Sequence, residues 1–321
     1  MRSAFLVFSL AALAASCVAS PSDHGGAGGA SNGGTTIGKG GTTGTGGKPG
    51  TGGATKTGGS SSTGGSTQTQ PSGTCADLSI DSTTVSGQYG GSLLSVVGSS
   101  KTYVIQANWW GTPYGSQTES ISGLGFTMTS PNNVITTVKD TPLGFPSIFI
   151  GAYAGKTTSL SNLPKPVSAL TRIPTAFSTN SDQKGSSNYN ATYDVWFTAN
   201  GSPLANGQST PGAGGAYLMV WLFKPSDRSP RGSTKATGSI VKGVPGGWTV
   251  WYDNTNPPCV SYVSSSPLAS LEFDLNDFIQ DAVSSGYGIT NSQYLSVVFA
   301  GFEVWGGGDG LQLKKFCANV E

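Results

Sequence analysis

The chain has 321 residues, of which 49 are glycine and 10% are charged, and its formal net charge at pH 7 is +1. This near-neutral balance gives no electrostatic basis for binding nucleic acid or an anionic membrane surface, so neither is expected as a partner. The composition favours a neutral, exported protein.

Residues 1–16 have the features of a secretory signal peptide. Arg2 supplies a positive charge, residues 4–15 form a short apolar run, and Ser16 ends a stretch of small residues before Cys17. The run is too short for a transmembrane helix, and no other segment has the roughly 20 consecutive apolar residues that such a helix needs. We therefore predict a bacterial protein that is secreted or attached to the cell envelope.

The sequence LAASC at the end of this signal resembles a bacterial lipobox, which would make Cys17 the lipidated residue. It departs from the usual motif at Ala14, where leucine is common. Lipidation of Cys17 and ordinary cleavage after Ser16 both stay open. A lipid on Cys17 would be the only attachment of the chain to a membrane.

Residues 17–74 consist almost entirely of glycine, serine and threonine. Such a segment has no apolar set to bury, so the entropy cost of folding it is not offset. It is predicted to be a disordered linker that would hold a folded domain away from a surface.

The cysteines after the linker permit a disulfide, because the chain is exported. Cys75 begins the predicted folded part and Cys317 nearly ends it. We predict a bridge between these two residues. It would leave Cys259 free, although the sequence does not exclude a pairing of Cys259.

Residues 75–321 form the predicted folded domain. Short runs of β-branched and aromatic residues alternate with turn residues, among them TYVIQANWWG, FPSIFIGAYAG, ATYDVWFTA and AYLMVWLF. One helix is predicted, capped by Asn276 and ended by Gly286. Its apolar face consists of Phe278, Ile279, Ala282 and Val283. The pattern predicts an all-β jelly-roll sandwich of two antiparallel sheets with a concave cleft and one helix, and we expect a monomer.

Several kinds of chemistry are excluded by the residue content of this domain. The single histidine, His24, lies in the linker, which excludes Ser-His-Asp and Cys-His catalysis and histidine zinc sites. No phosphate-binding loop and no dinucleotide fingerprint are present. The domain is therefore expected to need no cofactor and no metal, and to use carboxylates, aromatic rings and hydroxyl groups.

Two carboxylates stand in otherwise apolar strands. Alternation in VVFAGFEVWGGG puts Glu303 and Trp305 on one face, where poor solvation should raise the pKa of Glu303 and suit it to act as a general acid. A buried glutamate satisfied by a basic residue or by backbone donors is the alternative. Asp194 shares a face with Trp196, and a structural and a catalytic role are both open for it. Glu119 is assigned to a polar loop.

The strand GGAYLMVWL alternates in the same way. Tyr217, Met219 and Trp221 share one face, and the aliphatic residues between them form a core face. Tyrosine, methionine and tryptophan suit a groove for sugar rings, whose C–H faces pack on aromatic rings. The aromatic residues expected to extend this platform are Trp109, Trp110, Tyr114, Trp248 and Trp251.

These residues, taken in order, resemble glycoside hydrolase family 12, the endo-β-1,4-glucanases and xyloglucan hydrolases with a jelly-roll fold. NWWGT is similar to the family's NxWG, FPSIFIGAYAG to YPSxxxGxxYG, and YLMVWL to E(I/L)MIWL. SPRGS is similar to xPIGS and AGFEVW to xGFEPW, and YDVWF is the family's pattern unchanged. The resemblance covers the chain from about Tyr103 to its end.

The resemblance implies a retaining hydrolase that works with two glutamates. The acid/base of the family carries over to Glu303, but the position of its nucleophile is occupied here by Tyr217. Asp194 matches an aspartate that hydrogen-bonds the nucleophile in the family. The substrate-binding residues expected from the resemblance and the alternation are Asn108, Trp110, Trp196, Met219, Trp221 and Trp305.

The tyrosine leaves three readings open. The first is hydrolysis of β-glucan (cellulose, mixed-linkage glucan or xyloglucan), with Tyr217 as nucleophile and Asp194 as its base, or with Asp194 activating a water in an inverting reaction. The second is a protein that binds β-glucan without cutting it, and the third is a β-sandwich without a ligand. Hydrolysis is the prediction, and binding alone is its alternative.

Overall fold

The structure is a computed structural model of the chain. It describes residues 84–87, 89–96, 99–110, 117–129, 141–180, 188–204 and 208–321. The signal peptide, the linker and the predictions on Cys17, Cys75 and Tyr114 lie outside the described residues and stay predictions. None of the helices in the described ranges is both long and apolar enough to cross a membrane.

The described elements are almost all strands. In chain order they are β1 (Thr84–Ser86), β2 (Gly91–Ser95), β3 (Thr102–Gln106), β4 (Thr118–Ser122), β5 (Gly125–Thr129), β6 (Ser147–Tyr153), β7 (Lys156–Thr157), β8 (Lys165–Pro166), β9 (Pro174–Thr179), β10 (Asn188–Tyr189), β11 (Ala191–Thr198), β12 (Ala216–Phe223), β13 (Ser233–Ser239), β14 (Trp248–Asp253), β15 (Cys259–Ser264), β16 (Ser270–Asp274), β17 (Tyr294–Gly301), β18 (Val304–Gly306) and β19 (Gln312–Ala318). A 3-10 turn (Val167–Ala169) and one helix, α1 (Leu275–Ser284), complete the set.

Two large sheets contain most of these strands. The larger sheet has the order β13-β14-β15-β12-β11-β17-β6-β3-β2, with β7 beside β6 and β8 beside β17, and the smaller has the order β1-β4-β5-β19-β9-β16. The predicted fold class, an all-β sandwich with one helix, is confirmed. One pair departs from the antiparallel prediction, because β12 and β15 run parallel. After β12 the chain forms β13 and β14 further out and then returns to place β15 between β14 and β12.

The two faces of the larger sheet are buried in different ways. Its inner face packs against the smaller sheet in one apolar core, to which β12 contributes Leu218, Val220 and Leu222. The outer face carries a second buried cluster, which includes Tyr217 and Met219. We call this second set of side chains the outer-face cluster. The alternation along β12 therefore follows the prediction, because side chains of a strand point to opposite faces in turn.

The predicted aromatic platform is wrong at two positions. Trp109 and Trp248 belong to the core between the sheets and not to the outer face. Trp248 packs edge-on against Phe278 of α1, with 4.9 Å between ring centroids. Replacing such a buried tryptophan by alanine typically costs about 3–5 kcal/mol of stability, so the role of both residues is to hold the fold.

Helix α1 is where the sequence predicts it, but its cap differs. The side chain of Asp274 accepts a hydrogen bond from the backbone N–H of Asn276, which makes Asp274 the N-cap. Asn276 lies inside the first turn, so the prediction that it caps the helix is wrong. A carboxylate at this position can satisfy an N–H group that has no partner within the helix. Asp274 Oδ1 also accepts a hydrogen bond from the Ile173 backbone N–H at 2.7 Å, which ties the helix start to the residue before β9.

Both described cysteines are engaged in disulfides, and neither is free. The expectation that Cys259 stays free is therefore wrong. Cys317 lies in the core between the sheets, whereas Cys259 lies in the outer-face cluster. The pairing of Cys317 with Cys75 stays a prediction, because Cys75 is outside the described residues.

Glu119 is a buried strand residue and not part of a polar loop, as the sequence had suggested. It lies on β4 opposite Met128 of β5 and is fully buried. Its Oε1 atom accepts a hydrogen bond from Gln117 Nε2 at 3.2 Å, and its Oε2 atom has no hydrogen-bond partner within the described ranges. Burial raises the pKa of Glu119 to about 8, because the charged form is poorly solvated there, while a backbone hydrogen bond lowers it in part.

The substitution Glu119→Gln is expected to stabilise the protein at pH 9 but hardly at pH 5. The folded pKa of about 8 exceeds the unfolded value of about 4.3, so the folded state binds more protons between these values and wild-type stability falls as pH rises through them. The glutamine side chain does not ionise, so the variant does not lose stability in this pH range. Denaturant titrations should show the advantage of the variant growing by about 2–5 kcal/mol from pH 5 to pH 9. Glu272→Gln, on β16 of the same sheet, is the control; parallel pH curves for wild type and Glu119→Gln would contradict the assignment.

Candidate active site

The centre of the larger sheet brings the candidate residues together. In the register of β11, Asp194 lies opposite Met219 of β12 and Phe299 of β17, and Trp196 lies opposite Tyr217. Directly opposite residues on antiparallel strands share a face. The side chains that the sequence places on three separate strands therefore converge on the outer face.

The aromatic rings of this face pack into one cluster. The Trp196 and Tyr217 rings meet edge-on with centroids 5.2 Å apart, and the Trp221 and Trp305 rings lie 6.4 Å apart. Met219 lies among them, and the Trp221 indole N–H approaches its sulfur at 3.5 Å. These side chains are at most 2% exposed, so a ligand reaches them only when the groups that cover them are displaced.

A small cavity borders the cluster beside Asp194. It is lined by Asn108, Trp110, Trp196 and five further side chains, Asp194 among them, and its volume is about 10 Å³, which is close to the space that one water molecule requires. Trp110 is only partly buried and packs against the cluster. Asn108 has a φ of 51°, in the left-handed region that asparagine tolerates better than most residues. Three of the predicted substrate-binding residues, Asn108, Trp110 and Trp196, therefore meet at this cavity.

Asp194 is a buried carboxyl group whose ionisation is altered. Burial raises its pKa to about 7, while Trp196, the Arg231 charge and the Val195 backbone N–H lower it in part. The Trp196 indole N–H is the largest of these lowering influences, although its geometry falls short of a regular hydrogen bond. The Oδ1 atom of Asp194 has no hydrogen-bond partner among the described residues. Asp194 is thus present in both protonation states near neutral pH, as a general base or acid requires.

The phenol of Tyr217, unlike the carboxyl group of Asp194, stays protonated near neutral pH. Burial, followed by the charge of Asp194, raises the pKa of its phenol well above the ordinary value, and the Arg231 guanidinium offsets this only in part. The Tyr217 hydroxyl has no hydrogen-bond partner in the described ranges. Among the described residues none is therefore in position to take its proton, and the ring acts as an apolar wall.

Glu303 lies in a break between two strands. Strand β17 ends at Gly301 and β18 begins at Val304, so Glu303 is not part of a continuous strand as the sequence predicts. A Cβ atom on Gly301 would lie 2.3 Å from the Pro146 carbonyl oxygen, which explains why the chain needs glycine where it turns. Phe302 points into the core between the sheets, and Glu303 is fully buried.

Asn190 fixes the Glu303 side chain and backbone together. Its Nδ2 atom donates to Glu303 Oε2, and its Oδ1 atom accepts from the Glu303 backbone N–H at 2.9 Å. The Asn190 backbone N–H donates in turn to the Glu303 carbonyl at 3.0 Å. Three bonds to one residue hold the carboxyl in a single orientation, as a proton donor requires.

Sequence reasoning missed Arg231 and Asn190. Arg231 Nε lies 2.5 Å from Asp253 Oδ2, and its guanidinium carbon lies 5.8 Å from the centre of the Tyr217 ring. The arginine in SPRGS was visible as a difference from the motif that the segment resembles. Nothing local, however, indicates that it reaches across two strands. The Asn190 contact to Glu303 spans 113 positions and has no local signal either.

Comparisons with known proteins agree with this geometry. The family model described as glycosyl hydrolase family 12 matches residues 101–321. The probable cellulase Cel12b of Mycobacterium tuberculosis is 28% identical over 162 residues, which is 50% of this chain and 98% of that protein. The probable xyloglucan-specific endo-β-1,4-glucanase A of Aspergillus terreus is 32% identical over 165 residues, 49% of this chain and 60% of that protein. The solved structure of endoglucanase cel12A from Rhodothermus marinus aligns with a TM-score of 0.63 and 30% identity over 74% of this chain and 99% of that chain.

Proposed function

The chain belongs to glycosyl hydrolase family 12, and from this membership and the site geometry we propose that it hydrolyses β-1,4-linked glucan with Glu303 as proton donor and Asp194 as general base. The observation that carries the proposal is the Asp194 carboxyl group, which borders a water-sized cavity. Its pKa is about 7, and its Oδ1 atom has no hydrogen-bond partner in the described part of the chain. The relatives named above are a cellulase, a xyloglucan-specific glucanase and an endoglucanase, which supports a β-glucan as substrate.

The reaction needs one water molecule and two proton transfers. Asp194 takes a proton from the water, whose oxygen attacks the anomeric carbon, while Glu303 gives its proton to the glycosidic oxygen as the C–O bond breaks. The cavity beside Asp194 has room for such a water, and an unpaired carboxylate oxygen is a suitable partner for it. Inversion of the anomeric configuration follows from this single displacement.

Tyr217 is a weaker candidate for the nucleophile. A phenol attacks effectively only as phenolate, and burial together with Asp194 holds its pKa far above neutral. Its hydroxyl has no base within hydrogen-bonding distance among the described residues. In our proposal Tyr217 occupies the position of the family's nucleophile and contributes a ring against which the sugar packs.

The predicted signal peptide would place this activity outside the cytoplasm, where polysaccharides are met. Whether Cys17 carries a lipid decides between a surface-attached and a released protein. The chain is expected to act as a monomer and to contact a membrane only through that lipid.

The test is product release from three soluble substrates: carboxymethylcellulose, mixed-linkage β-glucan and xyloglucan. Full-length protein should release reducing ends from at least one of them above the level of the Glu303→Gln variant. NMR of the first-formed product should show the inverted anomer. A retained anomer would instead identify Tyr217 as nucleophile.

The pH dependence of hydrolysis should follow Asp194. A base with a pKa of about 7 is ionised only above that pH, so kcat/KM is expected to rise about tenfold per pH unit below pH 7 and then level off. Asp194→Asn should lose about 10²–10⁴-fold in activity and should no longer show this rise.

The same variant should be more stable than wild type above pH 7, because the wild-type protein loses stability as Asp194 ionises between about pH 4 and pH 7. A wild-type profile without an acidic limb near pH 7 would exclude Asp194 as the base.

A non-hydrolysing glucan-binding protein is the second candidate. The observation that favours it is the Tyr217 hydroxyl, which has no hydrogen-bond partner among the described residues and whose pKa burial holds well above the ordinary value. We propose that this hydroxyl stands where the family has its nucleophile. This candidate predicts retention on insoluble glucan with no product above the Glu303→Gln level. The assay described above therefore decides between the two.

A further inference from the structure

The segment between β12 and β13 carries three basic residues next to the candidate site. We call residues 224–232 the basic loop; its cations are Lys224, Arg228 and Arg231, and its only acidic residue, Asp227, is exposed. The Arg231 guanidinium carbon lies 5.8 Å from the centre of the Tyr217 ring. The Arg228 guanidinium carbon lies 5.4 Å from the centre of the Trp305 ring. Both arginines thus stand over rings of the outer-face cluster.

The third cation lies at a cavity further along the same face. Lys224 lines this cavity together with Trp251 and Thr249 of β14 and with Val263 and Ser264 of β15. Its volume is about 340 Å³, enough for a sugar ring, which the space beside Asp194 is not. Trp251 is partly buried and packs against the outer-face cluster. The cavity therefore continues the candidate binding face with an aromatic ring, hydroxyl groups and one positive charge.

These cations are held in place and do not extend freely into solvent. Arg231 Nη2 donates to the Pro257 carbonyl at 2.8 Å, while the Nε edge faces Asp253. Lys224 Nζ donates to the Pro225 and Arg228 carbonyls, at 3.1 and 2.8 Å. A guanidinium fixed on one edge presents its remaining donors in a defined direction, as recognition of a carboxylate requires.

Acidic groups near the loop do not cancel this arrangement. Asp253 balances one charge, that of Arg231, but it occupies only the Nε edge, and no bond of Arg231 Nη1 to a described residue is found. Asp194 has a pKa of about 7 and is therefore partly neutral at physiological pH. A carboxylate on the ligand would give Lys224 and the Nη1 atom of Arg231 a charged partner, which a neutral glucan does not offer.

We propose that this face binds a β-linked glycan that carries carboxylate groups, with Arg231 and Lys224 contacting acid groups of the chain and Trp251 stacking on one of its sugar rings. The inference rests on the proposed function, since it names the substrate class of the same site. In this proposal the basic loop determines whether the face binds acidic or neutral glycan chains more tightly. Arg231 would act near Asp194, and Lys224 at the distal cavity.

The test compares two oligosaccharides that differ only in charge. Full-length protein is titrated calorimetrically with cellohexaose and with the β-1,4-linked glucuronate oligomer of the same length, at about 50 mM and about 300 mM NaCl. We expect the acidic oligomer to bind roughly tenfold more tightly at low salt and to lose most of this preference at high salt. Arg231→Gln and Lys224→Gln should each weaken binding of the acidic oligomer roughly three- to tenfold more than binding of the neutral one.

Lys314→Gln is the matched control, because Lys314 is exposed on β19 of the other sheet and the charge change is the same. Equal or tighter binding of the neutral oligomer, or equal losses for both oligomers in the variants, would overturn the inference while leaving the proposed function intact. If neither oligomer is bound or cut, the proposed function fails and this inference with it. The salt dependence of the wild type decides even where a variant does not fold.

Discussion

Glu303→Gln is expected to lower kcat/KM for soluble β-glucan by about 10²–10⁴-fold while changing glucan affinity by less than about twofold. Glutamine has almost the same shape and keeps an oxygen for the bond from Asn190 Nδ2, so the local structure should persist. It cannot give a proton to the glycosidic oxygen. Reducing-end assays and pull-down on insoluble glucan measure the two quantities separately.

The matched control is Glu272→Gln, an isosteric change on β16 of the smaller sheet. Its activity should equal that of the wild type. A Glu303→Gln variant with wild-type activity would remove Glu303 from the mechanism. A substrate with an activated leaving group, which needs little protonation, should recover most of the lost rate, as loss of a general acid predicts and loss of folding does not.

Alternation was sufficient to place the residues of β12 correctly. Tyr217 and Met219 are on the outer face because the side chains of a regular strand alternate, and the pairing of β12 with β11 is regular from Ala216 to Trp221. The same rule, applied to WTVWYD, would have separated Trp248 from Trp251, which lie on opposite faces. The error at Trp248 arose from treating tryptophans as a group and disregarding their register.

The remaining errors come from contacts between distant segments. Glu303 lies in a strand break that depends on the close approach of Gly301 to Pro146, which no local pattern indicates. Glu119 looks like a loop residue because its neighbours are polar, but pairing with β5 buries it. Arg231, just before β13, lies close to Tyr217 of β12 although β14 and β15 separate these two strands in the sheet. Sequence patterns report the local period, and tertiary pairing decides what each side chain meets.

Tyr217→Glu is expected to change the stereochemistry of the product and to raise kcat/KM at least about tenfold. In our proposal Tyr217 occupies the position of the family's nucleophile, and a carboxylate there would let the reaction proceed by double displacement with retention. The Arg231 guanidinium carbon lies 5.8 Å from the centre of the Tyr217 ring. Its positive charge would favour ionisation of the glutamate that takes the place of this ring. The first-formed anomer, followed by NMR, and the rate of reducing-end release are the measurements.

Two further substitutions at the same position, Tyr217→Gln and Tyr217→Phe, serve as controls for this experiment. Tyr217→Gln matches the size of the new side chain without its charge and should show no gain, which separates chemistry from relief of crowding beside Trp196. Tyr217→Phe removes only the hydroxyl, which has no hydrogen-bond partner among the described residues. If Asp194 and water carry out the reaction, the activity of this variant should therefore stay within about threefold of the wild type. A Tyr217→Phe variant without activity would instead make the phenol the nucleophile. The three variants thus test whether the outer face still carries out hydrolysis, by which route, and whether one side chain limits its rate.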